Sequence, residues 1–408
     1  MQHASFFSGI GGFDLAFDNA GFETVFQSEI DRFCSAVLKQ HWPNSPLLGN
    51  ISLIDPQAIP AADVWTAGFP CQDVSLARGN HLRPGFEGKN SSLFFEFFKL
   101  VRLRLPKVVI LENVLGLLSS NQGNDFAAIL SKFSNAGYGV AWRVLNTRYF
   151  GAPQSRQRVF VCAVLGEPKT AADILFDDVS KEREDPRAAF REVHRCDLTG
   201  AYVPRISFCV AATSGRHTGN DWSRTYIAYE NSARRPTPEE TERLQGFPRN
   251  WTVPISSSRP DVRSYDSDRY KALGNAVSVP VAQWLAKRVW SRVGKRAKAQ
   301  ASYDVSESDL HNRALGSQIR VRRLALEAGG KWSTAGITRG KKALEFSAPD
   351  SPTRTDKSRF VDLLSREEDL SQYFISANAA QGMLRRADGL NRRFFEPLDR
   401  ALRNLAQT

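Results

Sequence analysis

The 408-residue sequence has few cysteines and no spacing among them that is typical of a covalent or metal-bound framework. Its five cysteines are odd in number and include no Cys-x-x-Cys pair, which excludes a disulfide scaffold and a cysteine-rich zinc site. No stretch approaches the ~18 consecutive apolar residues of a membrane span. The first residues also lack the basic start and apolar run of a secretory signal. We therefore expect a cytoplasmic protein that uses no metal and binds no membrane.

Positive charge is what the sequence has in excess. Lys and Arg total 55 against 43 Asp and Glu, a net charge of +12, and residues 295–408 carry seven of these surplus charges. A surplus of this kind attracts polyanions through phosphate contacts and counterion release. A basic protein can also simply be soluble, so charge alone leaves nucleic-acid binding and a solvated basic surface both open.

Short apolar runs alternate with stretches of helical spacing through residues 1–165. The apolar runs occupy residues 4–7, 24–26, 64–67, 108–111 and 159–164. This alternation predicts an α/β fold with a doubly wound, mostly parallel sheet. Ligands bind such sheets beyond the carboxyl ends of the strands, so we expect the site residues on loops that follow strands.

The rest of the chain divides by composition. Residues 166–236 are polar and weakly periodic, and they predict a small separate lobe of loops and short strands. Residues 237–293 regain helical spacing, as expected for a return to the first domain. Residues 294–408 form a C-terminal extension, in which 294–360 is predicted to be a basic, flexible linker and 373–405 to be helical.

A glycine-rich turn, Phe7-Ser8-Gly9-Ile10-Gly11-Gly12, follows the first apolar run. Glycine lets a backbone turn tightly and lets a ligand approach it closely. A dinucleotide motif would place its third glycine at Asp14, whose carboxylate would repel a pyrophosphate, so the turn favours a nucleoside without phosphates over NAD. Glu29, at the end of the second run, can accept hydrogen bonds from ribose hydroxyls. A purely structural turn and a solvated Glu29 remain the alternatives.

Reactive or charged side chains follow three further apolar runs. Cys71 lies on a Pro-bounded turn after residues 63–67, where it can react as a thiolate, although most free cysteines are buried and inert. Glu112 follows a buried run, where a partly desolvated carboxyl can donate a proton near neutral pH. Arg156 and Arg158 alternate on an extended segment, so they would share a face and could hold a carbonyl oxygen and the acid. Two arginines alone are also typical of a solvated edge.

Eight short motifs occur in a fixed order over about residues 3–293. They are Phe7-Ser8-Gly9-Ile10-Gly11-Gly12-Phe13, Glu29-Ile30-Asp31, Gly49-Asn50-Ile51, Gly68-Phe69-Pro70-Cys71-Gln72, Glu112-Asn113-Val114, Gln154-Ser155-Arg156-Gln157-Arg158, Thr237-Pro238-Glu239-Glu240 with Leu244-Gln245-Gly246-Phe247-Pro248, and Tyr270-Lys271-Ala272-Leu273-Gly274-Asn275-Ala276-Val277. One such motif can arise by chance, whereas eight in order are highly specific. By these motifs the sequence resembles the cytosine-5 DNA methyltransferase family.

The resemblance implies a class I S-adenosylmethionine-dependent methyltransferase fold, which is Rossmann-like. Residues 1–165 would form the catalytic domain, 166–236 the target-recognition domain, and 237–293 the return to the catalytic domain. S-adenosylmethionine would be the methyl donor, with no metal. The residues implied to bind it are Phe7, Gly9, Gly11, Gly12, Glu29, Ile30, Asn50, Ile51, Pro70 and Asn275.

The resemblance also implies a mechanism. The target cytosine would be flipped out of the duplex, because its ring edge cannot be reached while it is stacked. Cys71 would add to C6, Glu112 would protonate or hydrogen-bond N3, and Arg158 with Arg156 would hold the O2 edge. The candidate base readers in the recognition lobe are Arg205, Arg216, His217, Asn220, Arg224 and Arg234.

Two positions depart from the family pattern. Ser5 and Asn50 stand where the family often has aspartate. Asn50 can still accept a hydrogen bond from the adenine amino group through its side-chain carbonyl. Because a charge is lost there, we expect weaker cofactor binding rather than none.

The expected setting is a monomer bound to double-stranded DNA in a bacterial or phage-infected cell, in restriction–modification or prophage self-protection. A cognate restriction endonuclease is a candidate partner. An RNA cytosine methyltransferase of the same architecture is disfavoured, because its tRNA-directed branch carries a Cys-Phe-Thr stretch that is missing here. A non-catalytic DNA-binding protein is disfavoured by the intact Cys71, Glu112 and arginine pair, and a dehydrogenase by Asp14.

Overall fold

A ten-stranded sheet and a four-stranded sheet organise the structure, which is a computed structural model. The residues that it describes are 1–70, 93–177, 188–215, 220–254, 262–294, 321–326, 330–355, 357–366 and 369–408. They belong to two units, each considered by itself below. Unit 1 comprises Met1–Asn146, Gln157–Lys181 and Val281–Thr355, and unit 2 comprises Thr147–Arg156, Glu182–Pro280 and Asp356–Thr408.

The strands are short in unit 2 and longer in unit 1. In chain order they are β1 (Gln2–Phe6), β2 (Glu23–Ser28), β3 (Leu47–Leu48), β4 (Val64–Ala67), β5 (Val108–Asn113), β6 (Tyr138–Asn146), β7 (Gln157–Leu165), β8 (Val193–Arg195), β9 (Tyr202–Pro204), β10 (Ile227–Ala228), β11 (Ala233–Arg234), β12 (Arg322–Ala325), β13 (Ala335–Arg339) and β14 (Lys342–Phe346). The five apolar runs of the first 165 residues fall on β1, β2, β4, β5 and β7, so these five strand predictions are confirmed.

The helices follow the spacing and capping signals of the sequence. The α-helices are α1 (Gly12–Asp18), α2 (Arg32–His41), α3 (Leu93–Arg104), α4 (Asn124–Asn135), α5 (Pro168–Leu175), α6 (Ala188–Arg191), α7 (Pro238–Gln245), α8 (Asp266–Asn275), α9 (Val279–Val289), α10 (Ala377–Gly389) and α11 (Glu396–Leu405). Thr237 and Glu240 form a capping box at the start of α7, and Gly246 ends that helix in the left-handed region at φ 84°. Helices α10 and α11 lie within residues 373–405, the segment predicted to be helical.

The large sheet is parallel on one side and antiparallel on the other. Its order is β12-β14-β13-β6-β7-β5-β4-β1-β2-β3, and the strands from β5 to β3 run parallel. Phe6 pairs with both Ser28 and Ala67, and Ala67 pairs with Leu111, so the carboxyl ends of β1, β2, β4 and β5 meet at one edge. The predicted α/β fold class is confirmed, and the expected ligand-binding edge is in place.

An aromatic core fixes this sheet in unit 1. Phe6 lies 4.7 Å from Trp65 and 5.1 Å from Phe97, measured between ring centroids. All three rings are buried almost completely. Aromatic side chains bury large apolar areas, and the hydrophobic contribution scales at roughly 25 cal/mol per Å². The strand that leads into the glycine turn is therefore held firmly.

Part of the predicted linker is instead built into the sheet of unit 1. Strands β12, β13 and β14 fall within 294–360, and β13 pairs with β6. The Trp332 ring packs 5.7 Å from both Phe126 and Trp142. The flexible-linker prediction is wrong for the residues of these three strands, 322–325, 335–339 and 342–346. The prediction failed because the partners of these strands are far away along the chain. The Trp142 indole donates to the carbonyl of Ser333, 191 positions later, and no local sequence pattern indicates this contact.

Unit 2 combines short strands with the last helices of the chain. Its sheet has the order β11-β10-β9-β8, as the prediction of a lobe with short strands requires. Ala228 of β10 and Tyr226, which precedes that strand, belong to one buried cluster with Met383 of α10 and Leu402 of α11. The division differs from the predicted domains, because α5 lies in unit 1, whereas α7, α8 and the end of the chain lie in unit 2.

Candidate functional site

The glycine turn after β1 has a backbone that few side chains tolerate. Phe7 has φ 54°, and Gly9 and Gly11 have φ 56° and 82°, all in the left-handed region. A Cβ atom on Gly11 would lie 2.4 Å from the Trp42 ring, whereas one on Gly9 would meet nothing within 4 Å. Gly11 is thus required by packing, and Gly9 keeps the turn open to a ligand. The unfavourable φ of Phe7 is typical of functional turns.

Glu29 ties the end of β2 to this turn. Its Oε2 accepts the Gly9 N–H at 2.7 Å, and its Oε1 accepts the N–H groups of Ile30 and Asp31, each at 2.8 Å. An ionised carboxylate offers about four acceptor positions, so roughly one remains for a ligand hydroxyl. Beside it, the Ile30 side chain is 73% exposed and offers an apolar surface.

Asp14 does not face a ligand, and the argument that its carboxylate repels a pyrophosphate is wrong. Asp14 is the third residue of α1 and is fully buried, with Oδ1 accepting from the Ser5 hydroxyl at 2.7 Å and the Gln27 amide at 3.0 Å. Burial raises the pKa of Asp14 to about 7, against the lowering effect of these two hydrogen bonds. The carboxyl therefore links β1, β2 and α1 beneath the turn, next to the unusual Ser5.

Asn50 and Ile51 differ in what they present. Asn50 is exposed and accepts the Ser52 N–H on Oδ1 at 3.0 Å, which caps a short 3-10 helix over Ile51–Leu53. The Ile51 side chain is 5% exposed and packs in the core of unit 1. Of the two predicted cofactor contacts, Asn50 thus has the accessible side chain.

Cys71 lies outside the described residues, as does everything from 71 to 92. The chain that leads to it is described: β4 ends at Ala67, and Pro70 is half-buried. The Asn113 amide, at the end of β5, donates to the Phe69 carbonyl at 3.2 Å. Asn113 is not among the predicted site residues. Its position directly after Glu112 is the sequence feature that could have indicated this role. Through the hydrogen bond to Phe69, Asn113 stabilises the segment that precedes Cys71.

Glu112 and Arg158 meet at the end of the antiparallel pair β5 and β7. Asn113 pairs with Val159, which places Arg158 beside the end of β5. The Arg158 Nε lies 3.1 Å from Glu112 Oε1, and the two side chains are 17% and 11% exposed. A Cβ on Gly68 would lie 3.9 Å from Glu112 Oε2, so the end of β4 is close as well. The predicted acid and one predicted cation are therefore together.

Arg156 is held differently. It is 2% exposed, and its guanidinium donates to the carbonyl oxygens of Val210 at 2.8 Å, Gly274 at 3.1 Å and Ala276 at 2.7 Å. Gln154, two residues earlier, accepts from the Val210 N–H at 2.8 Å. All of these residues belong to unit 2, so the contacts favour a structural role for Arg156 there. That Arg156 contacts the cytosine stays a prediction. Arg158, which lies beside Glu112, fits that role better.

The remaining predicted residues of unit 2 are spread over several places. Asn275 is the last residue of α8 and is exposed. Arg234 is fully buried in a two-pronged pair with Glu240, at 2.8 Å for each prong, so its prediction as a base reader is wrong. Arg205 pairs with Glu192 at 2.8 Å, Arg224 donates to Thr213 and Asn220 is exposed. Arg216 and His217 lie outside the described residues.

Over the described ranges, no three side chains among His, Cys, Asp and Glu are grouped so as to hold a metal ion. None of the helices described is both long and apolar enough to cross a bilayer.

Comparison with known families identifies the chain. The family described as C-5 cytosine-specific DNA methylase matches residues 1–195 and 176–291. Type II methyltransferase M2.BsuMI of Bacillus subtilis (strain 168) is 32% identical over 309 residues, which cover 71% of this chain and 75% of the relative. Type II methyltransferase M.NgoBI of Neisseria gonorrhoeae is 32% identical over 302 residues, which cover 68% and 89%.

Solved structures share the fold. The S. pombe Dnmt2 methyltransferase matches with a TM-score of 0.53 at 19% identity, over 71% of this chain and 98% of that one. A mutant of Spodoptera frugiperda DNMT2 matches with a TM-score of 0.51 at 19% identity, over 71% and 99%. The glycine turn, Glu29 and the Glu112–Arg158 pair lie at strand ends of one sheet, and the family matches most of the length of this chain. The chain therefore belongs to the C-5 cytosine-specific DNA methylases and is a DNA (cytosine-5) methyltransferase.

Proposed function

We propose that the enzyme methylates C5 of a cytosine flipped out of a specific double-stranded DNA sequence, through a covalent bond between Cys71 and C6. The observation that carries this proposal is the Glu112–Arg158 pair, 3.1 Å apart, beside the segment that leads to Cys71. An acid and a fixed cation, together with a nucleophile, are the groups that activate a pyrimidine ring for addition. The biological setting proposed is restriction–modification or prophage self-protection.

The family implies S-adenosylmethionine as the methyl donor, and the residues of the glycine turn fit it. Space above Gly9 is open, and Glu29 keeps about one acceptor position for a ribose hydroxyl. Phe7 is half-buried and Ile30 is exposed, and both offer apolar surfaces next to that acceptor. We propose that these residues, with Asn50, hold the nucleoside part. When bound, S-adenosylmethionine supplies an electrophilic methyl group.

The chain's own residues carry the steps on the ring. The Cys71 thiolate forms a bond from Sγ to C6, and the electrons of the C5–C6 double bond move toward C5 and N3. Glu112 protonates or hydrogen-bonds N3 and so stabilises the negative charge that the addition places on the ring. Arg158 orients Glu112, and its guanidinium binds the O2 edge of the cytosine. After C5 is methylated, it loses its proton to a base, and elimination of Cys71 restores the double bond.

The proposal is tested in two stages with the full-length protein. Sequencing of methylated cytosines in DNA from expressing cells gives the target sequence. A duplex carrying 5-fluorocytosine at that target should then trap a covalent adduct in the presence of S-adenosylmethionine. Fluorine replaces the C5 proton whose loss would otherwise release Cys71. The adduct is read as a shifted band on a denaturing gel.

Two cysteine variants make the trap specific. Cys71→Ser should give no adduct and no methyl transfer while still binding S-adenosylmethionine. Cys209→Ser, which changes an exposed cysteine, should behave as the parent enzyme does. Retained turnover by Cys71→Ser would exclude covalent catalysis by this residue, and methylation of RNA alone would overturn the choice of substrate.

A further inference from the structure

A cavity lined with arginine lies within unit 2, and no predicted site residue lines it. Its volume is about 520 Å³, and its positive side chains are Arg195, Arg243, Arg249, Arg359 and Arg366. We call it the arginine cavity. Ligand-binding pockets span roughly 300–1,000 Å³, so it is large enough for a sugar-phosphate group. Two of its arginines come from the C-terminal part of the chain, beyond residue 291, where the family match ends.

The charge of the cavity is strongly positive. Asp197 and Asp362 also line it, which leaves a surplus of three positive charges among the lining arginines and acids. Arg195 lies 3.5 Å from Asp197, and their side chains are 56% and 92% exposed. Arg359 lies 2.8 Å from Asp362, and their side chains are 56% and 50% exposed. Ion pairs this exposed to solvent contribute little to the stability of a protein. These arginines can therefore exchange their partners for an anion.

The C-terminal wall of the cavity is anchored to the rest of unit 2. Phe360 is fully buried in a cluster with strands β9 and β10, and its N–H donates to the Arg205 carbonyl at 2.8 Å. The Ser365 N–H donates to the buried Glu240 at 2.7 Å. Arg359 and Arg366 flank these anchors directly, so their backbones are fixed while their side chains remain exposed. A fixed backbone lowers the entropy lost when a ligand binds.

We propose that the arginine cavity binds a phosphate of the DNA backbone, and that residues 357–366 are a DNA-binding element added to the family's shared fold. The identity of the ligand as DNA rests on the proposed function. Guanidinium groups match phosphate oxygens with two parallel hydrogen bonds, and several arginines around one cavity suit a polyanion. Phosphate contacts of this kind position a protein on DNA without reading its sequence.

The test compares two double variants of the full-length protein with equal charge changes. Arg359→Gln with Arg366→Gln removes the C-terminal charges of the cavity. Arg400→Gln with Arg403→Gln removes two charges on α11, where each arginine pairs with an acid on its own helix. Binding to a duplex is measured over a range of salt concentrations. The logarithm of affinity falls with the logarithm of salt by about 0.9 per phosphate contact.

We expect the cavity variant to lose roughly one to two units of this salt slope and to bind about tenfold more weakly near 0.1 M salt. The α11 variant should keep the parent slope. Arg359→Lys with Arg366→Lys should restore most of the slope, because lysine still contacts phosphate as a point charge. Thermal unfolding of all variants checks that the fold is intact.

Two outcomes would overturn the proposal. The first is an unchanged slope in the cavity variant, and the second is an equal loss in the α11 variant. If the slope is unchanged and the cavity variant has lost binding of inorganic phosphate that the parent shows, the cavity is a site for free anions. Failure of the parent enzyme to methylate any duplex would refute the proposed function instead, while the binding slopes would still decide what the cavity does.

Discussion

The two units both pair an arginine with a glutamate, and the two pairs differ in access to solvent. In unit 1 the side chains of Arg158 and Glu112 remain 17% and 11% exposed at the ends of β7 and β5. In unit 2 those of Arg234 and Glu240 are 1% and 0% exposed, and Glu240 also accepts the Thr237 N–H at 2.8 Å. The first pair can still reach a substrate, whereas the second uses its hydrogen bonds to hold the fold.

Exposure to solvent separates catalytic from structural charged pairs in this chain. A buried ion pair is costly to desolvate and costly to break, because the surviving partner is left without compensation. A partly exposed pair at a strand end loses less when one member is neutralised. Mutations should therefore divide the two pairs cleanly, one by rate and the other by stability.

The largest expected effect is on rate in unit 1. Glu112→Gln should lower kcat by about 10²–10⁴-fold, the usual contribution of a positioned acid, because the amide cannot deliver a proton to N3. Single-turnover methylation of the target duplex measures it. The control is Glu96→Gln, which changes a glutamate of α3 paired with Lys99 at 2.7 Å. A kcat within about threefold of the parent would remove Glu112 from the mechanism, since a positioned acid contributes far more than that.

The next largest effect is on the stability of unit 2. Arg234→Met leaves Glu240 buried without its cation and should lower the free energy of unfolding by about 3–5 kcal/mol. Urea denaturation measures this. The matched change Arg400→Met removes an exposed partner of Glu396 and should cost less than about 1 kcal/mol. If both variants unfold at the same urea concentration, burial does not set the strength of the Arg234 pair.

The smallest effect concerns Asp14, a buried carboxyl of unit 1 with hydroxyl and amide partners. Its folded-state pKa is raised by burial from 3.8 to about 7, so between these values the folded protein binds the extra proton. Its contribution to stability is complete below about pH 4 and is lost as pH rises through 7, by about 1.4 kcal/mol per pH unit.

Asp14→Asn should remove this loss, because an amide does not titrate and its oxygen can still accept from Ser5 and Gln27. Urea denaturation from about pH 5 to about pH 8, the range that spans the raised pKa, should show a flatter stability curve for Asp14→Asn than for the parent. Asp55→Asn, at an exposed cap of a short 3-10 helix, should keep the parent curve. Parallel curves for the parent and Asp14→Asn would contradict the raised pKa.

Sequence reasoning succeeded where the signal is local. The glycine turn, the strand preceding Glu112 and the helix opened by Thr237 and Pro238 each combine apolar spacing with residues that only certain backbones accept. Strand order then brought Glu112 and Arg158 together, as expected from two motifs at strand ends.

It failed where partners are distant or where one pattern has two outcomes. Nothing near Trp332 announces that it packs on Trp142, so β13 falls within the predicted linker. Arg156 and Arg158 form one alternating motif, yet three backbone carbonyls take up Arg156. Arg234 resembles a base reader until the buried Glu240 is seen beside it. Such outcomes depend on tertiary contacts that spacing does not encode.

The C-terminal strands also decide how the large sheet terminates. Without them β6 would be an outermost strand, nine residues long and apolar except for Arg143 and Asn146. In the described chain that place is taken by β12, which has four residues and begins with two exposed arginines. Long, uncharged outer strands invite another molecule to add its own strand, whereas short, charged ones repel it. We therefore expect the extension to disfavour pairing of this sheet edge with a strand of another molecule.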